Sequence, residues 1–257
     1  MSFEVCVDLT NPGQFFASCG LFELAARLEQ STTAHFADDR FVVESGSSLR
    51  ELLARWTEAP LVPIDAEDPT ASPMRIGEPF DLRLDWWKDD DSGGRDLKVW
   101  AGTMKSFRIA EAMLAALRDP SLHTERLFDV GRVVFDPKDP TKKVEPFYFD
   151  ARRAPNAHSR DVGFSPNDLD LTTTAFPAVE ALCLVGLQRF RPATTRRRLI
   201  FEYHAWRQPL SVAVASAVAS GAVSFPHRRT FQFECWYRTG RKELKAFRPA
   251  VPVKQGE

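Results

Sequence analysis

The sequence predicts an α+β fold with mixed, mostly antiparallel sheets and about five helices, one of them buried on all sides. Apolar residues alternate at 3–9, a spacing typical of a half-buried strand. The stretch 178–190 is apolar nearly all round, which favours a central buried helix. At 257 residues, with 44% hydrophobic side chains, the chain is long enough to bury a sizeable core.

The first half predicts the order β-α-β-α. Asn11 is suited to cap a helix, Pro12 fits its first position, and Gln14 can reach back as the partner in a capping box. Residues 59–79 contain five prolines and predict an irregular connection. The other predicted elements here are strands at 41–43 and 80–87, helices at 49–58 and 103–118, and a hairpin arm at 97–100 after a tip at 88–95.

The second half predicts a long polar segment, 152–174, between strands and the buried helix. Because connectors of this length are usually functional, the segment is a candidate binding loop. The other predicted elements are strands at 127–135, 147–150 and 199–206, a buried small-residue helix at 210–219, and a strand pair within 229–247.

Charge is unevenly divided along the chain. Residues 1–130 carry 13 Lys and Arg against 23 Asp and Glu, whereas residues 131–257 carry 21 against 12. We therefore expect an acidic half at 1–126 and a basic half at 127–257, packed as one unit. The basic half would face phosphate; alternatively, the two halves neutralise each other across an internal interface.

The sequence contains no recognisable catalytic or metal-binding motif. The five histidines are isolated, the four cysteines lack C-x-x-C spacing, and Gly-x-Ser-x-Gly is absent. We expect no metal, no cofactor and no enzyme activity. The start of the chain lacks a signal-peptide pattern, and the most apolar stretch is too short for a membrane span, so the sequence predicts a cytoplasmic protein without a membrane partner.

The candidate nucleic-acid contacts are mostly cations. Lys105 and Arg108 are expected near a helix N-terminus, where backbone amides favour phosphate. Arginine dominates the basic half, and its planar guanidinium binds phosphate bidentately. The candidates there are Arg152, Arg153, Asn156, Arg160, Arg196, Arg197, Arg198, Arg228 and Arg229. The alternatives are solvated cations on an amphipathic helix for the first pair and an edge strand protected by charge for the arginine triplet.

Three segments, 7–25, 97–113 and 147–192, resemble CRISPR-associated proteins of type I-U (I-G) effector systems. Their most specific pieces are Asn-Pro-Gly-Gln-Phe at 11–15 and Phe-Pro-Ala-Val-Glu at 176–180. The resemblance implies a non-catalytic, large-subunit-like component of an RNA-guided surveillance complex that helps recognise the protospacer-adjacent motif and bind target DNA. The implied partners are guide RNA, target DNA, other effector subunits and the helicase-nuclease.

Two alternatives belong to other functional classes. One is a metal-independent ribonuclease that processes the guide precursor, with His158 or His204 as general base. The other is a protein scaffold whose arginines dock onto acidic partner surfaces. Cleavage of repeat RNA in EDTA would identify the first, and a lack of nucleic-acid affinity would identify the second.

Overall fold

The chain folds into helices and antiparallel strands, which confirms the α+β class. The computed structural model describes residues 1–65, 67, 73–89, 93–100, 104–157, 174–237 and 245–253. Its α-helices are α1 (Pro12–Leu28), α2 (Leu49–Glu58), α3 (Gly94–Leu97), α4 (Ser106–Ala116), α5 (Pro177–Gly186) and α6 (Val212–Ala219).

Most of the strands are short. They are β1 (Ser2–Cys6), β2 (Thr33–Ala37), β3 (Arg40–Glu44), β4 (Leu61–Pro63), β5 (Met74–Ile76), β6 (Leu82–Leu84), β7 (Phe135–Asp136), β8 (Asp139–Lys143), β9 (Ala193–Thr194), β10 (Ile200–Ala205), β11 (Leu210–Ser211), β12 (Arg229–Tyr237), β13 (Lys245–Phe247) and β14 (Val251–Val253).

Two sheets enclose the main core. One has the order β1-β3-β2-β11, and the other has the order β13-β12-β10-β9 with β14 also paired to β12. Smaller sheets are β4-β5-β6 and the β7-β8 hairpin. The sequence misses β2, so the chain opens as β-α-β-β-α; its Ala34 and Phe36 face the core, but two buried residues give too weak an alternation to predict a strand.

Helix α1 joins the two sheets through its aromatic residues. Phe15 stacks on Phe36 of β2 with ring centroids 5.1 Å apart, and on Tyr203 of β10 at 4.3 Å. The Tyr203 hydroxyl donates a hydrogen bond to the Leu9 carbonyl at 2.7 Å, which satisfies its polar atom inside the core. Residues from both halves of the sequence thus belong to one continuous cluster within the described chain.

Helices α1 and α5 pack at unusually short separation because each contributes a glycine to the contact. All of α5 is buried, as predicted for residues 178–190, although the helix ends at Gly186. A Cβ atom on Gly20 would collide with the Leu182 carbonyl oxygen, and one on Gly186 would collide with that of Phe16. Only residues without a side chain allow this backbone approach.

Several predicted strands are wrong. Residues 97–100 form no strand, because 94–97 are helix α3, and 147–150 also remain outside the sheets. Of the segment 127–135, only Phe135 enters a strand; residues 127–129 form a 3-10 turn. Trp100 and Phe147 are buried by packing against each other, with ring centroids 4.9 Å apart, so their apolar character reflects aromatic packing rather than strand pairing.

The predicted burial of the small-residue helix is also wrong. Of α6, Ala215, Val218 and Ala219 are buried, whereas Val214 is 44% exposed. Alanine and valine can be buried without cost, but their presence in a helix does not show which of its faces another element covers. None of the helices that the structure describes has the length and apolar character needed to cross a membrane.

Gly20→Ala should destabilise the protein by about 1–3 kcal/mol or more, because the added methyl group meets a backbone oxygen that cannot move independently. Urea unfolding followed by circular dichroism measures the change. Gly46→Ala is the control, since its Cβ would meet only the flexible end of the Glu29 side chain. Equal stability of the two variants would contradict the proposed packing constraint.

Candidate nucleic-acid interface

The turn before α1 is built by Asn11, as the sequence predicts. Its Oδ1 accepts the Gly13 amide at 3.1 Å, which caps the helix, and also accepts the Ala151 amide at 3.1 Å. Its Nδ2 donates to Asp150 Oδ1 at 3.0 Å. Asn11 therefore also ties α1 to the loop at 150–151, which is distant in sequence.

The predicted capping box at Gln14 is wrong. Gln14 Oε1 accepts the backbone N–H of Asp8 at 2.7 Å, while the Asn11 amide donates to the Asp8 carbonyl oxygen at 3.0 Å. Gln14 is 3% exposed and lies inside the turn. Its role is to close the chain between β1 and α1, which makes it a structural residue.

A buried carboxylate fixes the same loop from the other side. Glu180 in the first turn of α5 accepts the amides of Phe149 at 3.2 Å and Asp150 at 3.1 Å. Burial raises the pKa of Glu180 to about 8, and the nearby Asp150 carboxylate adds to the increase, while the amides and Arg153 oppose it. The loop at 149–153 is therefore held by groups from both central helices.

Arg152 is engaged within the protein. Its guanidinium binds buried Asp150 bidentately, with Nε–Oδ1 at 2.9 Å and Nη2–Oδ2 at 2.6 Å, and also donates to the Phe128 carbonyl at 2.6 Å. It lies 3.5 Å from the Phe176 ring centroid. These contacts occupy the donors that a phosphate would need, so the geometry does not favour Arg152 as a nucleic-acid contact.

Arg153 also points inward. It is 7% exposed, and its guanidinium carbon lies 5.9 Å from the Tyr148 ring centroid. Its Nε and Nη2 atoms have no hydrogen-bond partner within the described structure. The side chain of Asn156, together with Arg160 and His158, lies outside the residues that the structure describes. Of the predicted loop contacts, the structure describes Arg152, which is partly exposed but bound to Asp150 and the Phe128 carbonyl, and Arg153, which is buried.

Opposite charges from the two halves pair across the fold. Arg189 forms a bidentate pair with Glu23, which is 1% exposed, although the two residues are 166 positions apart. Further pairs join Arg191 to Asp89 at 2.6 Å, Arg207 to Asp38 at 2.6 Å and Arg132 to Asp119 at 3.1 Å. These pairs support the alternative in which the acidic and basic halves neutralise each other.

The arginine triplet Arg196, Arg197 and Arg198 lies in the exposed turn between β9 and β10. Thr195 shapes this turn: its Oγ1 accepts the Arg197 amide at 3.1 Å and donates to the Arg197 carbonyl at 3.0 Å. Within the described chain, no carboxylate pairs with any of the three guanidinium groups. Strand β9 forms the edge of its sheet, so protection of an edge by charge also fits this position.

Arg228 and Arg229 are separated from that triplet. In the β10–β12 register, Arg229 lies opposite Ala205, whereas Ile200 at the other end of β10 follows the triplet turn. Five residue steps along a strand span about 17 Å. Arg228 donates to the Val223 carbonyl at 3.1 Å, and the Arg229 guanidinium lies 5.3 Å from the Phe231 ring centroid. Within the described part of the chain, the predicted cations do not form one continuous surface.

Lys105 and Arg108 occupy the predicted position at a helix N-terminus, since Lys105 precedes α4 and Arg108 lies in its first turn. Both are exposed. Arg108 lies beside the β7-β8 hairpin, whose Lys138 and Lys142 line a cleft together with it. The sequence analysis missed these two lysines; the turn-forming run Asp-Pro-Lys-Asp-Pro at 136–140 was the available signal.

His204 lacks the environment of a general base. Its Nδ1 atom lies 2.9 Å from Thr230 Oγ1, and its ring is buried. Burial lowers its pKa to about 4, and the Arg228 charge acts in the same direction. Within the described residues, no group of three or more His, Cys, Asp or Glu side chains is arranged to hold a metal ion.

Arg152→Gln should lower the free energy of unfolding by about 1–3 kcal/mol, because buried Asp150 loses its bidentate cation. Because Arg152 is partly exposed, the loss of stability should be smaller than for a fully buried ion pair. Arg126→Gln, which removes an exposed cation from exposed Asp129, is the control. Urea titration measures both changes, and a loss no greater than the control would show that the Arg152 pair contributes little.

Glu180→Gln should flatten the dependence of stability on pH. Because the folded-state pKa of Glu180 is raised, its proton stabilises the fold at low pH, and this stabilisation is lost as pH rises from about 4.5 to about 8. Urea unfolding at several pH values should show the wild type losing stability over this window more steeply than the variant. Glu51→Gln is the control. Hydrogen bonds from Ser48 lower the pKa of Glu51, so this carboxyl group titrates below the pH window, and the variant should lose stability with pH as steeply as the wild type.

Comparisons with family models, curated proteins and solved structures gave no match for this chain.

Proposed function

We propose that the protein is a non-catalytic nucleic-acid-binding subunit of an RNA-guided CRISPR interference complex of type I-U (I-G). The CRISPR assignment rests on the resemblance of segments 7–25, 97–113 and 147–192. The structural observation that supports nucleic-acid binding is the exposed turn Arg196–Arg198, where three adjacent guanidinium groups have no carboxylate partner among the described residues. Most other arginines discussed above are paired or buried. Among the described residues, the triplet is the one run of three adjacent exposed arginines in the basic half without a carboxylate partner.

The chemistry of this turn suits a phosphate backbone. Each guanidinium offers several N–H donors in a fixed plane, and adjacent phosphates along a strand can each accept two of them. Such contacts add affinity without sequence information. In a guide-dependent complex, base pairing reads the target while protein contacts hold the backbone and a short duplex motif, so backbone contacts of this kind fit a supporting subunit.

For His204, burial and the lowered pKa weaken the ribonuclease alternative, whereas His158 lies outside the described residues. The scaffold alternative would use the same arginines against acidic protein surfaces. The two hypotheses differ in whether the Arg196–Arg198 turn binds nucleic acid with an affinity that falls as the salt concentration rises.

Replacing Arg196, Arg197 and Arg198 together with glutamine should weaken binding to duplex DNA and to guide RNA. Each lost phosphate contact should reduce the slope of log affinity against log salt by roughly 0.9 for duplex DNA. Fluorescence anisotropy across a salt series measures both quantities. The matched control replaces Arg75, Arg83 and Arg126, three exposed arginines that are paired with aspartates.

Equal affinity and slope in the triplet and control variants would contradict nucleic-acid binding by the turn. In that case, co-purification with neighbouring effector subunits, lost in the triplet variant alone, would favour the scaffold alternative. Bound RNA recovered with the wild-type complex and depleted from the triplet variant would support the proposal.

A further inference from the structure

A cleft of about 520 Å³ lies between the segment that joins β1 to α1 and the two-residue turn that joins β2 to β3. Its described lining contains one cation, Arg229, and four aspartates, which are Asp8, Asp38, Asp39 and Asp129. All four aspartates are exposed. The volume lies within the range of ligand sites, and the excess of carboxylates favours a cationic ligand.

Two of these carboxylates have partners on the protein surface. Asp38 pairs with Arg207 at 2.6 Å, and Asp129 lies 3.0 Å from Arg126 and 3.8 Å from Arg152. These three arginines do not belong to the lining of the cleft. Because the Asp38 and Arg126 side chains are 81% and 70% exposed, water and salt screen their pairs, which leaves both carboxylates able to attract a further cation.

Asp8 and Asp39 have no cationic partner within the described chain. The Val7 amide donates to the Asp39 carbonyl oxygen at 2.8 Å, which holds the neighbouring Asp8 beside the β2–β3 turn. Asp8 Oδ1 accepts the Thr10 amide at 2.8 Å and the Thr10 hydroxyl at 2.7 Å. These two hydrogen bonds fix the Asp8 carboxylate and leave its Oδ2 atom for a ligand.

A buried amide group also belongs to the cleft. Gln14 is 3% exposed and is part of the lining. Its Oε1 accepts the Asp8 amide at 2.7 Å, which fixes the orientation of the side-chain amide and leaves Nε2 as the free donor. Nε2 has no hydrogen-bond partner within the described chain. A donor on a side chain this deeply buried calls for an acceptor, which a ligand in the cleft would supply.

The two requirements, a cation for the aspartates and an acceptor for Gln14, are met together by an arginine in a peptide. Its guanidinium is planar and has several N–H donors, so it can bind two carboxylates at once. The peptide backbone beside it carries carbonyl oxygens, which are acceptors for Gln14 Nε2 and for Arg229. A nucleic-acid strand would instead bring phosphates, which the aspartates repel.

We infer that this cleft binds an arginine side chain of a partner protein, with the guanidinium between Asp8 and Asp39 and an adjacent backbone carbonyl at Gln14 Nε2. The occupant is thus a basic, extended segment of another protein. This interaction goes beyond nucleic-acid binding by the Arg196–Arg198 turn and does not depend on it.

The test compares the double variant Asp8→Asn/Asp39→Asn with the control Glu58→Gln/Glu78→Gln. Both lose two exposed carboxylates, but Glu58 and Glu78 lie outside the cleft lining. Asparagine keeps an Oδ1 atom for the two Thr10 hydrogen bonds, so the turn at Asp8 is retained. Anisotropy with labelled hexa-arginine should show affinity reduced about tenfold in the cleft variant and unchanged in the control.

Competition identifies the group recognised. Unlabelled hexa-arginine should displace the probe at lower concentration than hexalysine or spermidine, because the amines lack the planar set of donors and spermidine has no backbone carbonyl. Equal displacement by hexalysine or by spermidine would show a general attraction of cations and overturn the inference. Unchanged affinity in the cleft variant, or an equal loss in the control, would also overturn it. None of these results alters the test of the Arg196–Arg198 turn, which uses nucleic-acid probes.

Discussion

The close approach of α1 and α5 constrains the rest of the structure. Gly20 and Gly186 face each other's helix, and the absence of side chains lets the two backbones meet inside the core. The first turns of the two helices reach the same loop, where Asn11 accepts one amide and Glu180 accepts two. Residues at the starts of both packed helices therefore hold the same loop at 149–151.

Charged side chains also pair with partners that are distant in the sequence. The acidic first part and the basic second part meet across the fold, and buried Glu23 with Arg189 is the clearest case. Pairing of this kind satisfies charges internally instead of presenting a uniformly basic face. Among the described residues, exposed cations without a carboxylate partner include Arg196, Arg197 and Arg198 in the turn between β9 and β10. A nucleic acid bound by this chain would therefore contact small separate groups of cations and not one broad basic face.

Sequence patterns predicted elements well where local interactions decide them. Helix α2 follows Ser47 and Ser48, and its Ser48–Glu51 capping box is formed within four residues. Strands β10 and β12 have apolar alternation long enough to be recognised. Prediction failed at 97–100 and 147–150, where Trp100 and Phe147 look like strand residues but pack against each other. Aromatic residues carry the same local signal in both settings.

The amino-acid sequence by itself determined the α+β class, the buried character of α5 and the cap at Asn11, because hydrophobic periodicity and caps act over a few neighbouring residues. Tertiary structure alone decided which arginines remain available. Arg152 and Arg189 find their carboxylates in the folded core, whereas Arg196–Arg198 find none in the described chain. Whether an arginine can bind a partner depends on carboxylates as distant in sequence as Glu23 is from Arg189, and these come close only once the chain has folded.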